Sequence, residues 1–346
     1  MSRTPWIAAA LLAACEPTEE AVLLCEPGPA VAVTERVAGA SLVFTAEAPG
    51  WSFGPLTADG GRVAAVLAGP GGEARVVRWT DAAPLLLLVA ELPAAGYRMT
   101  TITAGADVYY VQGVDADPGT APALAAALFE VRAGMVVQRM AAVRGREPVL
   151  VHEEGLIVQL VGGEFVLYRL ASESDKVIVD GDGAALAGDT LIIYRSGPLH
   201  DRIDRVPVYG GPVEPVSPRV CIDGVEERSE SGPAVAVAAT GPVLNSGRSI
   251  AGFDAQGERR ELVRIAGHEE LRGLTVVGES MYFLGETAEE IAVFRAPLAG
   301  GSAEALARFA RADGETTVRG WAVSEAAVYV ALERPGAPGE VWKVAR

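Results

Sequence analysis

The chain is poor in the residues from which catalytic and metal centres are assembled. In 346 residues it holds three histidines, three cysteines and one asparagine, Asn245. His152, His200 and His268 lie far apart and show no metal-ligand spacing with Cys, Asp or Glu, so each reads as a loop residue. There is no Gly-x-Ser-x-Gly elbow, no Ser set in order with His and Asp, and no phosphate-cradling glycine loop. Basic clusters are missing too. With 29 Lys and Arg against 45 Asp and Glu the net charge is −16, which repels a polyanion and argues against nucleic acid as a partner. Windows for a long helix are few, because 40 Gly and 22 Pro are spread from end to end.

What the sequence does have is a repeat. Half its residues are apolar, enough for a sizeable core. The clearest unit is Val277 to Gly301, in which the polar tip Gly278-Glu279-Ser280 precedes Met281 to Leu284, an apolar run too short for a helix. Similar tips precede apolar runs at Gly60 to Arg62, Gly105 to Asp107, Glu153 to Gly155, Gly188 to Thr190, Thr240 to Pro242 and Glu325 to Ala327. From Gly61 to Ala326 the spacing averages about 44 residues, the length of a four-stranded propeller blade.

A second marker follows the first. The next strand sets a charged residue between apolar neighbours at Val77-Arg78-Trp79, Phe129-Glu130-Val131, Tyr168-Arg169-Leu170, Phe294-Arg295-Ala296 and Trp342-Lys343-Val344, as suits a strand with one packed face and one near solvent. Asp204-Arg205-Val206 keeps only part of this pattern, and Ala251-Gly252-Phe253 breaks it. Outer strands are expected at Leu85 to Val89, Val136 to Met140, Val177 to Val179, Val213 to Val216, Leu262 to Ile265 and Ala305 to Phe309. The seventh unit stops at Arg346 after three strands. Leu42 to Thr45 is a spare strand that can pair beside Val341 to Val344, closing a ring and removing two exposed edges. Ser217 to Gly232 reads as a long loop, and the second half of Ala121 to Val131 as strand. The expected fold is all-β, a propeller of seven four-stranded blades with six or eight as alternatives, closed by the N-terminal strand in the last blade.

Phe294 to Gly301, FRAPLAGG, and more faintly Arg205 to Gly211, resemble the Arg-x-Pro-Leu-x-Gly-Gly ending of bacterial propellers similar to the YWTD and TolB-like groups. This resemblance implies the fold and little about function, because propellers host enzymes, scaffolds and ligand sites alike.

The N-terminus has Arg3 and then an apolar stretch, Trp6 to Ala14, far shorter than the roughly 20 residues that cross a bilayer. It ends in Leu12-Ala13-Ala14-Cys15, which resembles the lipobox of bacterial lipoproteins; the alternative is an ordinary secretory signal with a cysteine at the cut. The resemblance implies a signal peptide over residues 1–14, a lipidated Cys15 and tether over 15–40, a propeller domain over 41–346 and a cell-envelope location, outer membrane favoured. Losing residues 1–14 removes Arg3 and no acid, which leaves a net charge of −17. With Cys15 carrying lipid, Cys25 and Cys221 remain. They form either one disulfide or two unpaired thiols.

Asp180 and Asp182, like Asp115 and Asp117, are carboxylate pairs that calcium could use, but neither completes a calcium loop and both read as turns. No metal or cofactor is expected. In the strands expected to line the channel, Arg272-Gly273 and Arg319-Gly320 stand six residues before their tips, and Arg98 occupies a similar place in the second unit. These arginines either converge as a site for an anionic group or pair with acids on adjacent blades. Two functions follow: a lipid-anchored monomer that binds a protein or small anionic ligand, or a metal-dependent propeller hydrolase of the lactonase or esterase kind. The lone Asn245 weighs against the hydrolase, whose channel holds its cation through acidic and amide side chains.

Overall fold

A computed structural model describes residues 23, 25, 26, 28–36, 39–93, 97–115, 126–143, 149–160, 162–198, 200–221, 234–268, 270–311 and 315–346. The signal segment with Cys15, Asp117, residues 121–125 and residues 222–232 of the expected long loop lie outside the described residues. Among the described residues there are 29 strands and no helix, arranged in seven sheets. Each sheet is a blade whose strands, a to d, run antiparallel from the axis outward. Strands a and d are Ser52–Asp59 and Leu87–Leu92 in blade 1, Tyr97–Ala104 and Met135–Val143 in blade 2, and Leu150–His152 and Ser174–Asp180 in blade 3. They are Gly183–Ala187 and Glu214–Val220 in blade 4, Ala234–Ala238 and Arg259–Val263 in blade 5, and Glu270–Val277 and Ala303–Ala310 in blade 6. The fold is a seven-bladed β-propeller.

Blade 7 is built from both ends of the chain. Thr317–Val323, Ala327–Glu333 and Glu340–Ala345 supply strands a to c, and Ala40–Thr45 is strand d, with Leu42 opposite Trp342 and Phe44 opposite Val341. Closure therefore runs as the strand count predicts. Phe44 also reaches into blade 1, edge-on to Trp79 at 5.1 Å between ring centroids.

The short apolar runs after each tip are the b strands, and packing explains their composition. A b strand is sandwiched between two neighbouring blades, so both of its faces are buried and it reads as an unbroken hydrophobic run. In Arg62–Ala68 the pleat sends Val63, Ala65 and Leu67 to the interface with blade 7, and Ala64 and Val66 to the interface with blade 2. The core is accordingly seven separate clusters, one between each pair of adjacent blades. The Gly-Gly endings of the repeat form c-to-d turns. Gly300 N donates to Pro297 O (3.0 Å) and Gly210 N to Pro207 O (2.9 Å), both at positive φ, where a side chain is disfavoured.

Several boundaries differ from the sequence-based expectation. Val33–Glu35, which the sequence assigns to the tether, is a fifth strand on blade 6, parallel to Ala303–Ala305 and pinned by Arg308 Nη2 to Glu35 Oε1 at 2.7 Å. Ser217 to Val220 complete strand d of blade 4 instead of opening a loop. His152 is the buried last residue of an inner strand, not a loop residue. Ala126–Arg132 is strand, and within it Glu130 does not lie near solvent: it is 1% exposed. Arg132 Nε (2.7 Å) and Arg139 Nε (2.8 Å) donate to its two oxygens. Burial opposes ionisation of this carboxyl, but the two guanidinium hydrogen bonds outweigh it and hold its pKa below the usual range. Cys25 and Cys221 are joined by a disulfide across 196 residues, with Cα atoms 4.8 Å apart.

Two predictions follow from this packing. A Cβ on Gly320 would stand 2.8 Å from Leu56 N of the neighbouring inner strand, whereas one on Gly54 would meet nothing within 4 Å. Gly320→Ala should cost about 1–3 kcal/mol in urea unfolding, and Gly54→Ala less than about 0.5 kcal/mol. Because Glu130 has a lowered folded pKa, its stabilisation is present above the unfolded carboxylate pKa and is lost as pH falls through the folded value. Glu130→Gln should lower stability at pH 7 by about 1–3 kcal/mol and flatten the acid limb of the stability profile.

Candidate functional site

All seven inner strands begin on the same rim of the ring, and the three arginines singled out in the sequence lie there. Arg98 is second in Tyr97–Ala104, and Arg272 and Arg319 are third in Glu270–Val277 and Thr317–Val323. Arg272 Nη2 donates to Glu270 Oε2 (2.9 Å), and its Nη1 lies 3.4 Å from Glu286 Oε1. Glu286 is buried and is also held by Arg311. Arg319 pairs with Glu333. Glu286 and Glu333 are the last residues of strand b in blades 6 and 7, so the same ion pair is built twice by the repeat. Arg98 is exposed and makes no ion pair with any described residue.

The glycines beside these arginines have a packing role. A Cβ on Gly273, at φ +60°, would fall 2.5 Å from the Trp321 ring of blade 7. Gly273 and Gly320 thus let consecutive inner strands approach, and the shared Arg-Gly pair is one ion pair plus one close contact.

Several polar side chains join neighbouring blades. Asn245 Nδ2 donates to Leu271 O (3.1 Å) and Gly273 O (2.8 Å) in the next inner strand, and its Oδ1 accepts from Gly247 N (2.9 Å). Gln159 Nε2 donates to Gly181 O (2.6 Å) at the entry to blade 4. Asp81 ties blade 1 to blade 7 by accepting from Ser324 Oγ (2.8 Å), Tyr329 Oη (2.9 Å) and Ala326 N (3.2 Å). Burial, reinforced by the Asp81 carboxylate, pushes the Tyr329 phenol upward, so it stays a neutral donor. His152 accepts at Nδ1 from Glu154 N (3.2 Å), which leaves Nε2 to donate to Asp189 Oδ1 (3.1 Å) of blade 4. These clasps were missed in the sequence, though a polar residue closing an apolar b run, as in Val158-Gln159 and Leu244-Asn245, is the signal that marks two of them.

The seven inner strands carry two carboxylates, Asp59 and Glu270, at opposite strand ends, and each is paired, to Arg62 and Arg272. Asp182 Oδ2 accepts from Ser196 N (2.8 Å) and Oγ (2.9 Å), pinning a loop. No group of three metal-ligating side chains occurs among the described residues. A groove of about 520 Å³ lies at the outer part of blade 6, walled by His268, Glu290 and Arg308, away from the channel.

Fold and site together define a closed seven-bladed propeller in which Asn245, Gln159 and His152 join neighbouring blades. No family model matches the sequence, and no curated protein matches it. Solved structures of the same shape include a catalytically inactive virginiamycin B lyase from Staphylococcus aureus with quinupristin, at TM-score 0.60 and 12% identity over 89% of this chain and 99% of that one. The β-propeller domain of the Trilobed protease from Pyrococcus furiosus, described as having an open velcro topology, matches at 0.56 and 13% over 85% and 95%. The N-terminal domain of Nup159 matches at 0.53 and 11% over 92% and 100%. Identities this low establish the fold alone.

With Asn245 as a clasp, Asn245→Ala should cost about 1–3 kcal/mol in stability by removing the donor to the Leu271 and Gly273 carbonyls, while the metal content of the purified protein stays unchanged.

Proposed function

We propose that the protein is a binding or scaffolding module, a monomeric propeller of the YWTD/TolB-like kind carried outside the cytoplasm on a lipid attached to Cys15. The observation that carries the non-enzymatic reading is the engagement of the axial polar groups. Asn245, Gln159 and Glu286 each engage a neighbouring strand or guanidinium. A rigid ring with loops on both rims is suited to presenting a surface. Nup159, a propeller of this shape, occurs in a complex with S. cerevisiae Dbp5, and a protein partner is the analogous reading here. Arg98, free of ion pairs among the described residues, is the residue at the channel mouth best suited to an anionic group, while Arg272 and Arg319, on the same rim in blades 6 and 7, are held in ion pairs. The Cys25–Cys221 disulfide supports an oxidising compartment.

The anchor is tested by fractionation with intact mass analysis. The wild-type chain should partition with membranes and carry a diacylglycerol on an N-terminal cysteine, and Cys15→Ser should be released without it. A wild-type chain found free of lipid in the soluble fraction sinks the anchor and leaves the propeller untouched.

A further inference from the structure

Blade 4 carries charge where blade 1 carries core. Its strand b, Thr190–Arg195, turns Leu191 and Ile193 to the interface with blade 3, and Arg195 continues that face. Counted from the first residue of strand b, the same places in blade 1 are Val63, Ala65 and Leu67, all buried against blade 7. On strand c of blade 4, Asp201–Pro207, Arg202 stands directly opposite Arg195 and Asp204 opposite Ile193. Blade 1 sets Arg75 and the buried Val77 in these two places. Two guanidiniums opposite one another on paired strands repel, and replacing apolar contact by buried ions is a poor route to stability. Asp204, 0% exposed, offsets them in part: Arg202 Nε (3.2 Å) and Nη2 (2.8 Å) donate to its Oδ1, and Arg195 Nε lies 3.3 Å from its Oδ2. One carboxylate does not satisfy two cations. Both Nη groups of Arg195 and Nη1 of Arg202 have no hydrogen-bond partner among the described residues, and the two side chains are 27% and 42% exposed.

The two arginines line a cleft of about 190 Å³ at the end of strand b, with Ser196, Gly197, Pro198 and His200 completing its wall. Among the described residues that line it there is no acid. Of the acids close by, Asp201 is buried and accepts from Tyr194 Oη and from Gly197 N (3.1 Å), and Asp182 accepts from Ser196. We infer that this cleft binds a small organic carboxylate, its oxygens taking the unpartnered N–H groups of Arg195 and Arg202 and its short chain lying against Pro198. Two guanidiniums less the Asp204 carboxylate leave one positive charge, which a monoanion balances. A phosphate dianion would bring a second negative charge toward Asp204 and Asp201. The chain is short because the cleft is smaller than the roughly 300 Å³ at which drug-sized sites begin. Strand b ends on the rim where the inner strands begin, so the cleft shares a rim with Arg98 but lies in another blade. The inference depends neither on a ligand at Arg98 nor on lipid at Cys15.

The probe is sodium propionate, followed by saturation-transfer difference NMR on the full chain carrying Cys15→Ser at fixed ionic strength. Transfer to the propionate protons should saturate with a Kd of about 0.1–10 mM. Binding should weaken at least about tenfold in Arg195→Gln and in Pro198→Glu, and should be unchanged in Arg98→Gln. Pro198 is exposed, and Arg195→Gln leaves both Arg202 hydrogen bonds to Asp204 in place, so each variant should melt like the parent. If one does not, the other decides. Transfer that fails to saturate by about 50 mM propionate, or that is unchanged in the folded variants, overturns the proposal. Displacement of propionate by phosphate at about a tenth of its concentration also overturns it, assigning the cleft to phosphoryl groups. Loss of transfer in Arg98→Gln alone overturns it in favour of the channel mouth.

Discussion

The constraint on which the structure depends is that no blade has a core of its own. Each b strand divides its side chains between two interfaces, as Val63, Ala65 and Leu67 do on one side and Ala64 and Val66 on the other. A blade at an open end of the row would leave one of those sets in water, at a cost of about 25 cal/mol per Å² of apolar surface. Seven interfaces are satisfied together only when the row becomes a ring, and pairing of Ala40–Thr45 with Glu340–Ala345 completes the blade that meets blade 1 at the closing interface. Segments separated by almost the whole sequence thus meet in one sheet.

Close approach at the axis creates a second demand. Inner strands approach closely where Gly273 meets the Trp321 ring and Gly320 meets the Leu56 backbone, and backbone carbonyls there need donors. Asn245 and Gln159 supply them, while Arg272 with Glu286 and Arg319 with Glu333 balance charge at the rim. Side chains so committed hold neighbouring strands together.

The architecture was legible because it is written in the one pattern every blade must repeat: a polar tip, then an apolar run buried on both faces. Even the closing strand could be found, since a seventh unit ending at Arg346 lacks a fourth strand and Leu42 to Thr45 has no other sheet to join. Less legible were features that depend on a neighbour distant in sequence. Glu130 looks like its solvent-facing counterparts Arg78 and Arg169, and only the folded chain brings Arg139 across from the next strand to bury it. Val33–Glu35 is too short to announce itself as a strand, and its partner lies some 270 residues away. The Arg-Gly pairs were visible in the sequence, but whether they face a ligand or a carboxylate is decided by Glu286 and Glu333, whose alignment with them is a matter of register.

The crosslink at Cys25 also sets how the ring responds to tension. A pull on the chain ahead of residue 25 would otherwise travel along the backbone to Val33–Glu35 and then to the closing strand, peeling hydrogen bonds one at a time until blade 7 came apart. With the sulfur bridge in place the load passes into the backbone at Cys221, between the fourth and fifth blades, and the seam that holds the two ends together carries none of it.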